Sequence, residues 1–374
     1  MKKQKVLIPV LSVLLCVVIA VSCSKSGGGG SNPPGGGGGT AKDTILVNLG
    51  TNIILPAYQQ LSTGVTALDG AVIAFNAAPT LTTLATAQDV FKTAYKNWAA
   101  CSQFEFGPAA DAFLTTHFTN AFPTDTLTIK SNVNGATYSI DGLGNFAAQG
   151  FPALDYLLFA YGNDASLARF TSDAHAAGAK LYLAALTASL KSKTTAVVNA
   201  WTSTYLTKFS NATGVDAGSS LSLLLNAYVM DFDVTLQNYK IGIPIGTYGP
   251  TTLPKAPAKV EAYYSGLSDQ LLIAQVQAFQ KIYLGGSGGG VDDKVAATSV
   301  QKNGVSLNEA IKNQLAAVLA KMQALPEPLS TGVQNNSTLI TDAYTEVRKL
   351  TVLLKVDMSS ALGVKISFQD DDGD

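Results

Sequence analysis

Apolar residues return at alternating steps of four and three along most of this chain. Ile54, Tyr58, Leu61, Val65, Leu68, Val72 and Phe75 form one such stripe, the spacing that gathers side chains on one face of an α-helix. The same spacing runs through Leu84, Ala87, Phe91, Ala94, Trp98 and Cys101, and through Leu186, Leu190, Val197, Trp201 and Tyr205 in a helix expected to begin near Thr171. Leu221, Leu224, Leu225, Tyr228, Phe232, Leu236 and Tyr239 make another stripe. Leu272, Val276, Phe279 and Tyr283 follow, then Leu307, Ile311, Leu315, Val318, Met322 and Leu325, and last Leu339, Ala343, Val347, Leu350 and Leu354. Alternation at period two is scarce. Residues 126–130 and 137–140 are the fair candidates, read as a small β-hairpin insertion. The fold class predicted is all-α.

Helices of this length joined by short connections pack as antiparallel bundles, and the breakers show where the bundles are interrupted. Residues 107–150 carry glycine, proline and the expected hairpin; residues 240–266 carry Pro244, Pro250, Pro254 and Pro257; residues 285–290 are almost all glycine. Long irregular stretches within a folded body are uncommon and often functional. The glycine run lacks the lysine and hydroxyl residue of a phosphate loop, so it is read as a flexible connection.

The N-terminus has its own pattern. Lys2, Lys3 and Lys5 precede an apolar run from Val6 to Val21 interrupted by Pro9 and Ser12, too short to be read first as a permanent span; a retained spanning helix is the second reading. Small residues at Ala20, Val21 and Ser22 before Cys23 resemble a bacterial lipobox. Residues 1–22 are thus expected to be a signal peptide, with Cys23 the lipidated first residue of a mature, membrane-anchored protein in the cell envelope, periplasmic or outer-membrane associated. Acyl chains anchor at roughly 0.8 kcal/mol per buried methylene. Residues 24–42 hold two glycine runs around Ser31, Pro33 and Pro34, which have nothing to bury and read as a tether. The folded body is expected over 43–374, with two bundles dividing near 165–215.

Composition narrows the partners. The chain is 47% hydrophobic and 14% charged, with a formal net charge of -1, which argues against nucleic acid. With Cys16 in the signal and Cys23 acylated, Cys101 is left alone on an apolar face and is read as a small core residue. His117 and His175 have no second ligand at zinc spacing, and no HExxH pattern occurs. Ser203 lacks a nucleophile-elbow context. Asp231 and Asp233 flank an apolar stripe and read as helix boundary. Asp370, Asp371, Asp372 and Asp374 form an acidic terminus, solvated or holding a hard cation.

Several segments, taken in order, resemble the imelysin-like family, also known as the M75 peptidase family and linked with bacterial iron uptake. They are Ile54, Leu55, Pro56 and Tyr58; Trp98 with Phe104, Glu105, Phe106, Gly107 and Pro108; Gly150 with Tyr156, Leu157 and Leu158; KIGIPIG at 240–246; Glu261, Tyr264, Ser265 and Ser268; and LGVKISFQDDDGD at 362–374. The resemblance implies two helical bundles packed side by side, with a site at or near their junction. The family signature is glycine, any residue, histidine, any two, glutamate. Here it reads Gly150, Phe151, Pro152, Ala153, Leu154, Asp155. Proline can neither bind a metal nor relay a proton, which puts the peptidase activity in doubt.

Two readings of this segment compete. In one, Gly150 frees a turn, Pro152 suits the first helical position and Asp155 sits in the first turn, where the helix dipole favours an anion. In the other, Asp155 lines a binding site with Glu105 and Asp141, accompanied by Gly150, Pro152, Lys240 and Ser265. Three gathered carboxylates repel unless Lys240 or a cation lies among them, and oxygen ligands suit calcium or ferric iron better than zinc. The cofactor itself stays open. The function expected is a non-catalytic envelope binding protein associated with iron acquisition, its partners a membrane and an iron species or iron-uptake protein. A metal-dependent peptidase, and a carbohydrate-binding or structural surface protein, are the alternatives.

Overall fold

Local caps set where the helices of the body begin. Thr80 accepts from the Thr83 backbone amide while the Thr83 hydroxyl accepts from that of Thr80, a reciprocal box that opens the Leu81–Ala99 helix. Ser219 and Ser306 cap the helices Ser220–Met230 and Leu307–Gln323 through their own side-chain oxygens, a contact worth about 1 kcal/mol each. A computed structural model describes residues 43–135, 137–248 and 253–368. The expected signal peptide, Cys23, the tether and the acidic residues 370–374 lie outside the described residues.

The chain is all-α, and two helical groups share it. Leu55–Ala77 packs against Leu81–Ala99 and Ala176–Ala200, while Leu307–Gln323 packs against Ser268–Leu284 and Thr338–Val352. Contact between Ser268–Leu284 and Leu81–Ala99 joins the groups, and the described residues form one compact unit. The periodic stripes supply the core: every member of the Ile54 to Phe75 stripe is buried, as are Trp98, Trp201, Phe279 and Met322. Two positions depart from the expected stripes. Tyr239 is exposed, and Ile340 rather than Leu339 faces inward. No described helix is long and apolar enough to cross a membrane.

Local chemistry overrides three expectations. Residues 126–130 are helical, within Thr126–Val133, because Asp125 accepts from the amides of Leu127 and Thr128; Ile129 and Val133 are buried while Leu127 stays exposed. The small hairpin lies instead at Gln301–Lys302 and Val305–Ser306, paired antiparallel. Its turn is Asn303-Gly304, both with positive φ, the dipeptide favoured by two-residue hairpins. The third concerns helix starts and turns: Asn163–Thr171 is a helix of its own, so the long helix begins at Ala176 rather than near Thr171. The glycine run at 285–290 is likewise a built turn, since Asn48 Nδ2 donates to the carbonyls of Gly285 and Gly289, both at 2.8 Å.

Candidate functional site

The polar core begins with the stretch Asp231–Gly242, where the backbone widens into π turns, a departure often found at functional sites. It presents Asp231 and Lys240 inward, 2% and 1% exposed. Lys240 Nζ lies 2.8 Å from Glu261 Oε2, and Glu261 is also 1% exposed. The other Glu261 oxygen accepts from Asn120 Nδ2 at 2.6 Å, and Asn120 Oδ1 accepts from the Tyr95 hydroxyl at 2.6 Å. Burial, with Glu261 and Asp155 nearby, pushes the Tyr95 hydroxyl well above its ordinary range, so it remains a donor. The Tyr95 ring stacks on Phe151 at 4.7 Å, which fixes its reach.

Glu261 starts a turn that Asp155 holds shut. Asp155 Oδ2 accepts from the Tyr264 amide at 2.9 Å and Oδ1 from the Ser265 amide at 3.0 Å. Gly266 N–H donates to the Ala262 carbonyl, and the Ser268 hydroxyl donates to the carbonyl of Glu261. Ala262 itself sits at φ 50, an unfavoured region for an L-residue that persists where surrounding bonds over-determine it. Burial raises Asp155 to about 6, opposed by these hydrogen bonds. Asp155 therefore serves another segment rather than the first turn of its own helix.

Asp231 forms the other end of the centre. Its Oδ2 accepts from the Ser102 hydroxyl at 2.8 Å and from Gln275 Nε2 at 2.7 Å. Burial raises its pKa, opposed chiefly by the nearby Lys240 ammonium. One buried ammonium thus stands among three buried carboxylates, Asp155, Asp231 and Glu261. Residues 95–155 and 231–275 both contribute, so the centre spans segments far apart in sequence.

The expected gathering of Glu105, Asp141 and Asp155 around a shared cation does not form. Glu105 accepts from the amide and hydroxyl of Thr116; burial drives its carboxyl up to about 8, with Asp231 adding to the rise. Asp141 is 55% exposed at its side chain, 2.7 Å from Lys193 Nζ and 2.8 Å from the Ser189 hydroxyl. Each Asp155 oxygen accepts from a backbone amide. Among the described residues, no group of three or more His, Cys, Asp or Glu is arranged to hold a metal. At the signature itself the donor set does not fit one: Pro152 offers no ligand, and the cavity beside Pro152, Asp155 and Tyr264 is about 30 Å³, room for about a single water.

Gly150, Lys240 and Ser265 have definite places. Gly150 has φ 69, and a Cβ there would sit 2.1 Å from the Thr119 carbonyl oxygen, so the turn and the close approach both demand glycine. Lys240 holds Glu261, and Ser265 supplies an amide to Asp155. Sequence reasoning missed Asp231, read as a helix boundary, and did not place Glu261, Asn120 or Tyr95 in the site. Asp231, Asp233 and Lys240 lie within ten positions on a stretch whose stripe of Phe232 and Leu236 is apolar; ionic residues beside such a stripe were the available signal. Cys101 is buried as a core residue, its Sγ 3.3 Å from the Asn97 carbonyl.

Two helical groups sewn together by a buried, ion-paired polar centre define a class of all-α protein that comparison identifies. The sequence profile of the family described as Imelysin, peptidase M75, matches residues 54–354, and the chain belongs to this family. An imelysin-like protein from Psychrobacter arcticum 273-4 is similar in structure, with TM-score 0.65 and 18% identity over 86% of this chain and 96% of that one. A putative iron-regulated protein A precursor from Parabacteroides distasonis ATCC 8503 gives TM-score 0.68 and 17% identity over 85% and 94%. No curated protein matches in sequence.

Proposed function

We propose that this chain is a non-catalytic binding protein of the bacterial cell envelope, anchored through a lipidated Cys23 and serving iron acquisition. The observation that carries the non-catalytic part is at the signature, where Pro152 replaces histidine and both Asp155 oxygens are committed to the Tyr264 and Ser265 amides. A carboxylate so engaged is a poor base or ligand, because freeing it leaves two amides unsatisfied at roughly 1–3 kcal/mol each. The iron association rests on the family and on the name of the Parabacteroides protein, an iron-regulated precursor. The anchor rests on the basic, apolar and small-residue pattern ending at Cys23.

One set of measurements on the full chain tests this reading. Purified protein should show no chelator-sensitive cleavage of a peptide library, its transcript should rise when iron is withdrawn, and Cys23→Ala should shift it out of the carbonate-washed membrane fraction. Cleavage that disappears in Asp155→Ala would overturn the non-catalytic reading. An iron-insensitive transcript would sever the link to iron, and membrane retention of Cys23→Ala would restore the spanning helix.

A further inference from the structure

A cavity of about 370 Å³ opens where the helices Thr126–Val133, Asn163–Thr171 and Ala176–Ala200 converge, lined among others by Lys130, Tyr161, Arg169, Asp173 and His175. Its size suits a small-molecule ligand. One wall is set by backbone: a Cβ at position 178 would lie 2.0 Å from the Val133 carbonyl oxygen, so the absence of a side chain at Gly178 lets the two helices approach. The lining is basic. Its lone carboxylate is Asp173, whose Oδ1 already accepts from the His175 amide at 2.7 Å. The chain as a whole has 25 Lys and Arg against 26 Asp and Glu, so this local excess of base is a departure.

Arg169 gives the cavity its chemistry. Its guanidinium lies over the rings of Tyr156 and Tyr161, 5.1 and 4.7 Å from their centroids. The two tyrosine hydroxyls are bonded to each other at 2.6 Å, which holds the rings in place. Stacking engages the faces of a guanidinium and leaves its in-plane N–H groups for an acceptor. Nη1 is buried and has no acceptor among the described residues. Neither Arg169 nor Lys130 forms an ion pair among the described residues. A half-buried guanidinium held against two rings, with Nη1 unpartnered, is suited to bidentate recognition of an oxyanion.

We propose that this cavity is a binding site for a small organic oxyanion, a carboxylate or a phosphate ester, with Arg169 the bidentate donor and Lys130 the second cation. The cavity shares no lining residue with the one beside Pro152 and Asp155, although Tyr156 also packs against Tyr264 at 5.2 Å, and it stands independently of the function proposed above. Titration of the full chain with inorganic phosphate and with succinate, at matched ionic strength, tests it. At least one probe should bind saturably, with a Kd in the roughly millimolar range or tighter. Arg169→Lys keeps the charge but loses the fork, and should weaken binding about tenfold; Asp173→Asn should tighten it. Phosphate alone binding would assign a phosphate ester, and succinate alone a carboxylate. Should Arg169→Lys fold poorly, Lys130→Gln supplies the comparison, with a several-fold loss expected. Absence of saturation with both probes, or equal affinity in wild type and the Arg169 or Lys130 variant, overturns the proposal.

Discussion

Glu105 and Asp155 are both carboxyls lifted by burial, yet they stand differently at neutral pH. Glu105, at about 8, is mostly protonated there, whereas Asp155, at about 6, is mostly ionised and bound by two amides. A carboxyl whose folded pKa lies above its unfolded value binds more protons in the native state, so its contribution to stability is complete below the unfolded pKa and declines through the folded one. For Glu105 that window runs from 4.5 to about 8. Glu105→Gln keeps the acceptor for Thr116 and removes the titration. At pH 5 the variant and wild type should unfold at similar urea concentrations; by pH 9 the variant should be more stable by on the order of 1–3 kcal/mol. A gap that does not change between those pH values would show that burial at Glu105 is not what governs it.

At the scale of elements, the helix Gly150–Phe159 begins under a double constraint. Its first residue needs a positive φ and also passes against the Thr119 carbonyl. Gly150→Ala should therefore cost about 2–5 kcal/mol, from the strained backbone and from overpacking together. Gly144 is the control, because a Cβ added there would meet nothing within 4 Å and its φ is not positive: Gly144→Ala should lie within about 0.5 kcal/mol of wild type. Denaturant midpoints of the two variants check both values, and equal midpoints would remove the close approach as the reason for glycine. The same element scale explains where sequence patterns misled. Leu127 and Ile129 alternate like a strand, but Asp125 caps the segment and Ile129 with Val133 supplies a helical face. Asn303-Gly304 marked the real hairpin, and that turn dipeptide was legible without coordinates.

Across the whole molecule, the Lys240–Glu261 pair anchors the polar centre on the C-terminal side, and Glu261 reaches the N-terminal side by accepting from Asn120. Each side chain is 1% exposed, so removing one partner strands the other away from water, at about 3–5 kcal/mol. Replacing both by apolar residues removes the stranded charge as well. Lys240→Met and Glu261→Leu singly should each lower the urea midpoint sharply, and the double variant should lie above both. If the double variant equals the sum of the singles, the two charges are not coupled and the pair does not organise the centre.

Much of this architecture was legible because helical burial is periodic. A step of four and three commits side chains to one face wherever the helix ends up, so the stripes from Ile54 to Phe75 and from Leu307 to Leu325 named core residues without knowledge of their partners. The order of family segments, and Pro152 in place of histidine, were likewise visible in one dimension. Tertiary structure alone decided which charges meet. Glu105, Asp141 and Asp155 looked alike as carboxylates, yet one takes Thr116, one takes Lys193 near the surface, and one closes the turn at Tyr264 and Ser265. Asp231, read as a boundary residue, and Glu261 became the partners of the centre instead. An ionic residue carries no periodic signature of its partner, because its partner is selected by proximity in space and by the cost of leaving a buried charge unmatched.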